Sequence, residues 1–354
     1  MYCSQVNKSD SFVFNGFNAV TFGTRDSLIA LLSGQRIQTW RHLAGTHEGA
    51  RFVDEVVPEF AWDTFRQNGY VTVFHEDTSH GSVFHNRTTG FRDPPVDHNS
   101  RVFMLAENAS AKNCHYTEHM HKVFRAWRKS LWQEYQDKSK FMVALETDFV
   151  PAGKRADRMF LETLKWFNYN FVSNSTVLVV TSGHGLINMR VGLSIQGRIE
   201  ARNPLLYMKF PPQFLKKHPA AAKNLRVNRN RLTTPLDVHA TLVNLLNFDP
   251  RCLSHSDCQT GFAHSVLQPM KPHRTCADAD IGPHFCGCAT WWELQAKDPL
   301  GVQLAQAAVD YINNLVQQES PAPGLCSRFQ FLKVKRFIQL KGNVQEFKPN
   351  PLVN

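Results

Sequence analysis

Continuous apolar runs alternate with helical patterns along most of this chain. Ser11-Phe12-Val13-Phe14 predicts a short strand. A loop then leads into an apolar helix from Asp26 to Ser33, ended by Gly34. Asp63–Asn68 continues a second helix that Gly69 stops, and Tyr70–Phe74 is rich in β-formers and predicts a strand. Phe141–Leu145 and Thr176–Val180 are apolar throughout and predict buried strands, with helices over Thr117–Gln136 and 156–168 before them. Strands that do not alternate with polar positions, separated by helices, predict a mainly parallel sheet covered on both faces.

The remaining segments read less regularly. Residues 76–113 are rich in Gly, Pro, Asp and Asn and predict a long loop. Residues 235–247 predict a helix, with Thr234 as N-cap and Pro235 in the first turn. Leu300, Leu304, Ala308, Tyr311, Ile312 and Leu315 share one helical face. Phe329–Val334 alternates as a half-exposed strand does. The expected organisation is an α/β domain over 1–250, a cysteine-rich loop of the same domain over 251–290, and a small C-terminal helix and strand region over 291–354.

Composition excludes several classes. The chain has 354 residues, 42% of them hydrophobic, and 26 Phe, which is ample for a large core and excludes disorder as its main state. No window of 18 apolar residues exists, so no membrane-spanning helix is encoded. The net charge of +10 is concentrated in one stretch. Between Arg190 and Arg231 lie ten basic residues, among them Arg198, Arg202, Lys209, Lys216 and Lys217, against the single acid Glu200. Such a segment fits an anionic ester or a sulfated or phosphorylated partner. Nucleic acid is not expected, because there is no zinc finger, no RNP run and no basic helix with heptads.

The cysteines place the chain in a compartment. Five of eight, Cys252, Cys258, Cys276, Cys286 and Cys288, crowd together without the paired C-x2-C spacing of a zinc site, so all five are disulfide candidates. Sequons at Asn7, Asn86, Asn108 and Asn174 agree with a secretory route and make Asn86, Asn108 and Asn174 glycosylation candidates. The location expected is extracellular or the secretory lumen. Met1–Gln5 is polar and is no signal peptide, so either the chain as given is a fragment of a longer secreted or membrane-anchored protein, which the reading below favours, or its cysteines are reduced and intracellular.

Ligands in a parallel sheet bind beyond the carboxyl ends of its strands. Three loops hold suitable chemistry. Thr24 precedes the Ser27–Ser33 helix, where a hydroxyl nucleophile would meet an anion-favouring N-terminus. Glu146-Thr147-Asp148 follows Leu145, and Thr181-Ser182-Gly183-His184-Gly185 follows Val180. Asp148 and His184 could share a divalent metal that activates the threonine. Two histidine clusters lie elsewhere: His75-Glu76-Asp77 with His80 and His85, and His115, His119 and His121.

The run Thr181–Leu242 resembles an uncharacterised sulfatase-like family of metazoan secreted or membrane-anchored proteins in the alkaline-phosphatase superfamily. The matching pieces are Thr181–Gly185, Gly197-Arg198-Ile199-Glu200, Asn203-Pro204, Asn224–Asn228, Arg231–Pro235 and Asp237–Leu242. Upstream, Asn18-Ala19-Val20 through Leu31–Gly34, Gly69–Thr72 with Glu76-Asp77, and Gly90-Phe91 resemble it too, as does Arg274-Thr275-Cys276 with Phe285–Cys288. The resemblance covers roughly residues 12–290. It implies an alkaline-phosphatase-like sandwich and metal-dependent hydrolysis of phosphate or sulfate esters. Zinc would be the metal, Thr24 would stand in the nucleophile position, and Asp148 and His184 would be metal ligands. Arg190 and Arg198 are candidate substrate contacts.

The departures are specific. The family's strand-end motif is Ser-Asp-His-Gly, and Gly183 stands where its Asp would be. The His of a His-Asp pair is Thr147, and the Asn three residues after the nucleophile is Ser27. The family's first strand, with another metal Asp, is missing from the chain as given. The C-x-P-x-R motif of formylglycine sulfatases is absent. Two function classes therefore stay open: an impaired metal-dependent ester hydrolase, or a catalytically inactive extracellular protein that binds an anionic glycan or a protein and holds no metal, or is an inactive, truncated gene product.

Overall fold

The computed structural model describes residues 10–40, 51–77, 82–85, 88–107, 114–115, 118–146, 161–168, 174–187, 194–255, 258, 261–288, 291–319 and 326–340. It divides into two compact units, one reaching Gly287 and a second over Cys288–Glu346. In the first, β1 (Ser11–Val13) precedes α1 (Thr24–Ser33), α2 (Ile37–Trp40), α3 (Val53–Val56) and α4 (Ala61–Gln67). Next come β2 (Val71–Glu76), β3 (His98–Asn99), α5 (Arg101–Glu107), and the short pair β4 (Cys114–His115) and β5 (Glu118–His119). After α6 (Met120–Glu134) and β6 (Lys140–Leu145), residues 161–168 form α7 ahead of β7 (Leu178–Thr181). The unit then runs through α8 (Ile195–Arg202), β8 (Leu206–Lys209), α9 (Pro212–Lys217), α10 (Pro219–Asn228) and α11 (Pro235–Leu246). The second unit holds β9 (Trp291–Leu294), α12 (Pro299–Glu319) and β10 (Phe337–Leu340), with β9 and β10 antiparallel.

The fold is α/β, as the apolar periodicity predicts. β2 lies between β3 and β6, parallel to both, in register from Val71↔Lys140 to Glu76↔Leu145. A second three-stranded sheet, in order β1-β8-β7, is antiparallel, with Ser11↔Lys209 at one end and Thr181↔Leu206 at the other.

α1 sits between two apolar clusters and is fixed by both. One cluster joins Phe12, Phe14 and Phe17 to Leu206, Met208, Phe210 and Val238. The other joins Ile29 and Leu32 of α1 to Phe60, Trp62, Phe74 and Phe84, and Leu31 packs against both. Burying Ile29 and Leu32 stabilises the helix by about 1.5–3 kcal/mol each. Gly34 ends α1 at φ +66°, its N–H bonded to the Ala30 carbonyl at 3.0 Å. A Cβ at Gly34 would run into the ring of His239 on α11, so the end of α1 and that histidine pack directly on each other. The N-terminus of α11 is closed by a capping box. The Thr234 N–H donates to Asp237 Oδ2 at 2.8 Å, and Thr234 and Asp237 are both fully buried.

Three expectations change. The segment read as a loop over 76–113 carries β3 and α5, because its polar residues dock on β2. The Thr72 N–H and hydroxyl both donate to Asp97 Oδ2 at 2.8 Å, and the Glu76 N–H donates to Ser100 Oγ at 3.0 Å. The alternating run Phe329–Val334 is not a strand. The Phe329 N–H donates to Asn313 Oδ1 at 2.8 Å and its carbonyl accepts from Asn313 Nδ2 at 3.0 Å, so a side chain takes the groups a ladder would use. β6 and β7 are largely half-buried, whereas β8, which has no polar alternation either, is buried throughout. No described helix is long and apolar enough to cross a membrane.

Candidate functional site

The loop after β7 is fastened to the start of β8. Thr181 Oγ1 donates to the Leu205 carbonyl at 3.0 Å and the Ser182 N–H donates to the same oxygen at 3.1 Å. The Gly185 N–H donates to the Ala201 carbonyl at 3.1 Å, and a Cβ at Gly185 would collide with the Glu200 carbonyl. The chain therefore turns between α8 and the sheet with His184 at its tip. His184 Nδ1–H donates to the Gly185 carbonyl at 2.7 Å, which leaves Nε2 as the nitrogen with a lone pair.

α1 meets this loop along one face. Thr24 is its first residue and is exposed; Ser27, one turn on, is buried. Ser27 Oγ donates to the Gly183 carbonyl at 3.1 Å. A Cβ at Gly183 would lie 2.9 Å from Ser27 Cβ and 3.0 Å from its Oγ. The space into which a side chain at position 183 would point is thus filled by the serine.

Phe22 organises the rest. Its ring lies 6.1 Å from His184, 5.7 Å from His284 and 5.0 Å from Phe285, with the Arg202 guanidinium 5.3 Å above it. Arg202 donates from Nε and Nη2 to the His284 carbonyl at 2.9 and 2.6 Å, and from Nη1 to the Arg198 carbonyl at 2.9 Å. Among the described residues no carboxylate pairs with Arg202, so its charge is left on this edge. Burial, then Arg198, pulls the Arg202 pKa down; burial, then Arg202, pulls down that of His284. Asn18, fully buried, holds the cysteine-rich loop in place. Its Nδ2 donates to the Phe285 carbonyl at 2.8 Å and its Oδ1 accepts from the Gly287 N–H at 2.8 Å. The Cys276–Cys286 disulfide closes that loop.

The structure brings Thr24's helix face, Gly183 and His184 together. Arg198 is on α8, half-buried, with its N–H bonded to Ser194. Asn174 is exposed, as a glycosylation acceptor has to be. Asp148, Arg190, Asn86 and Asn108 lie outside the described residues. Cys252 pairs with Cys258 and Cys276 with Cys286. Cys288 is a correction: it is a free thiol, because its near neighbour Cys286 is already bonded to Cys276. Sequence reasoning did not single out Phe22 or His284: Phe22 lies inside the matched segment that begins at Asn18, and His284 stands immediately before the matched Phe285–Cys288.

The described residues at this place do not fit a zinc site. His184 offers one donor atom, Gly183 offers none, and Ser27 occupies the room a carboxylate there would need. The first histidine cluster is packing rather than a site. The His75 ring lies 4.4 Å from Phe124, and burial pushes its pKa well below the usual imidazole value. Glu76 accepts from Ser82 Oγ at 2.7 Å and from the Val83 N–H at 2.6 Å. His80 and the side chains of His115, His119 and His121 lie outside the described residues.

Residues 3–335 match the family model of a protein of unknown function, DUF229. No curated protein matches the chain. Among solved structures, the chain is similar to the lipoteichoic acid synthase LtaP from Listeria monocytogenes, at 11% identity and TM-score 0.46 over 75% of this chain and 69% of that one. It is similar to the C-terminal periplasmic domain of EcEptC from Escherichia coli in complex with zinc, at 12% identity and TM-score 0.43 over 77% and 79%. A phosphonate monoester hydrolase, SpPMH from Silicibacter pomeroyi, matches at 10% identity and TM-score 0.41 over 82% and 74%.

Proposed function

On the premise that the chain belongs to the DUF229 family, we propose that it is an extracellular or lumenal sulfatase/phosphoesterase-like protein that binds a phosphate or sulfate ester and hydrolyses it poorly or not at all. The observation that carries this reading is Ser27 packed into the space beside Gly183. The binding half is supported by the positive edge. The N-terminus of α1 favours an anion beside Thr24, and Arg202 adds a charge that no described carboxylate offsets.

The chemical half is weak. A threonine hydroxyl is a poor nucleophile unless a base or a metal activates it. His184 Nε2 is the base on offer, and the carboxylate that would help hold a metal has no place at position 183. The two disulfides support an oxidising compartment. Two measurements on the purified chain test the reading: zinc content by elemental analysis, and turnover of an aryl phosphate and an aryl sulfate. The expected result is sub-stoichiometric zinc and no turnover above the Thr24→Ala variant. Stoichiometric zinc with turnover abolished by Thr24→Ala would overturn it and make the chain a working hydrolase.

A further inference from the structure

We infer that the outer face of α9–α10 binds a polysaccharide carrying sulfate or phosphate groups, laid along the helix toward the edge of the sheet that holds His184. The basic stretch separates into three parts in space. Arg198 and Arg202 lie on α8 at the candidate site, Lys209 is buried in an ion pair with Asp10 at 2.7 Å, and Lys216, Lys217, Lys223 and Arg226 lie on α9 and α10 with Arg229 at the C-cap of α10; Arg231 donates to the Pro272 carbonyl, and Arg190 lies outside the described residues. Lys216, Lys217, Lys223, Arg226 and Arg229 are all exposed, and among the described residues none shares an ion pair with a carboxylate.

Their placement is linear and held from beneath. Lys223, Arg226 and Arg229 follow one another at intervals of three, so consecutive members are neighbours on the helix surface. Ala221, Ala222, Leu225 and Asn228 are the buried residues of α10. Asn224 Nδ2 donates to the Leu253 and Leu267 carbonyls, both at 2.8 Å, and Asn228 Nδ2 to those of Val266 and Gln268 at 2.9 and 2.7 Å. These bonds fix the roll of the helix, so the cations project from a rigid rod.

The direction follows from the strand register. β8 leaves the sheet at Lys209, opposite Leu178, which is the edge remote from the His184 loop. α9 starts at that remote edge. The far end of α10 has returned, because the Arg229 carbonyl accepts the Asn15 N–H at 2.7 Å and Asn15 lies just past Val13, opposite Tyr207. The row of charges therefore crosses the sheet from the remote edge to the edge of Thr181 and His184.

Three kinds of polyanion could meet such a row, and the structure favours one. A single-stranded nucleic acid needs aromatic platforms for its bases, and the aromatic of α9, Phe214, is packed with Phe210 and Phe248. Anionic lipid is concentrated on cytoplasmic leaflets, whereas the two disulfides favour an oxidising compartment. An anionic polysaccharide is left. Binding here is independent of whether Thr24 turns over an ester.

The test is retention of the full chain by heparin and by dextran sulfate, with unmodified dextran, single-stranded DNA and phosphatidylserine vesicles as parallel arms. The expected result is binding to both sulfated polymers, none to dextran, and a steep fall with salt. Lys223→Glu, Arg226→Glu and Arg229→Glu together weaken it by about tenfold or more. The matched control, Lys297→Glu with Lys333→Glu and Lys335→Glu in the second unit, leaves it unchanged. A triple Gln variant that keeps the native circular dichroism guards against misfolding and weakens binding by a smaller factor. Equal losses in the two Glu triples, or tighter binding to DNA or to vesicles than to heparin, would overturn the inference.

Discussion

Two polar regions of the first unit are built to opposite standards. At the N-terminus of α11, Asp237 is fully buried and every neighbour serves it. Arg274 donates to Oδ2 at 2.7 Å and to Oδ1 at 3.1 Å, the Thr234 N–H donates to Oδ2, and the His264 N–H donates to Oδ1 at 2.6 Å. Arg274 also donates to the Leu232 carbonyl at 3.0 Å and to that of Phe262, so one guanidinium ties α11 to the cysteine-rich loop. At the end of β7, the corresponding span holds one histidine, a glycine and a serine hydroxyl bonded to a carbonyl. Among the described residues of this span, His184 alone offers a donor nitrogen, while the backbone around it is held by hydrogen bonds.

The largest expected effect lies at the intact region. Removing one partner of a buried ion pair strands the other, at about 3–5 kcal/mol. Asp237→Ala is thus expected to lower the stability by that amount in urea unfolding, with α11 and the loop over 262–274 losing protection in hydrogen exchange. Thr24→Ala, at an exposed first helical residue, is expected to stay within about 0.5 kcal/mol of the parent. Comparable losses for the two variants would erase the contrast.

The Cys276–Cys286 disulfide belongs to both regions and comes next. It begins two residues after Arg274 and ends beside Phe285, whose carbonyl is held by Asn18 and whose ring touches Phe22. Closing a loop across ten residues contributes about 2–3 kcal/mol through the unfolded chain. Replacing both cysteines with serine is expected to cost that much in thermal unfolding. Exchange is expected to rise at 282–287, where polar contacts hold the loop, more than at 234–246, where Arg274 still clamps it. The reverse order would mean that the ion pair depends on the disulfide.

Much of the scaffold is legible in sequence because its signals are local. Gly34 and Gly69 mark helix ends at positive φ, and Thr234-Pro235 with Asp237 writes a cap within four residues. Non-local pairing is not legible in this way. Nothing in Val177–Val180 says that β7 will lie antiparallel to β8, or that Asn313 will take the backbone of Phe329 from the ladder its alternation predicts. The site divides along the same line. That Gly183 replaces a carboxylate is visible by resemblance, while the atom that fills the vacated room, Ser27 Cβ from 156 residues earlier, is known only from packing.

That packing yields the smallest effect and the most direct test of the contrast. Gly183→Asp alone forces a Cβ to within 2.9 Å of Ser27 Cβ, an overpacking that costs about 1–3 kcal/mol. Ser27→Gly alone removes the bond to the Gly183 carbonyl and places glycine inside a helix, at about 1 kcal/mol. Were the two sites independent, the double variant would show the sum within about 0.5 kcal/mol. Steric competition instead predicts a double variant more stable than that sum by about 1 kcal/mol, measured in a double-mutant cycle by urea unfolding. The same protein supplies a second readout. If the carboxylate and His184 Nε2 then face a common space, zinc added to the double variant raises its melting temperature and does nothing to the parent. Additive stabilities would show that Ser27 is not what closes position 183. A coupled pair without a zinc response would place the remaining defect in ligands other than this one.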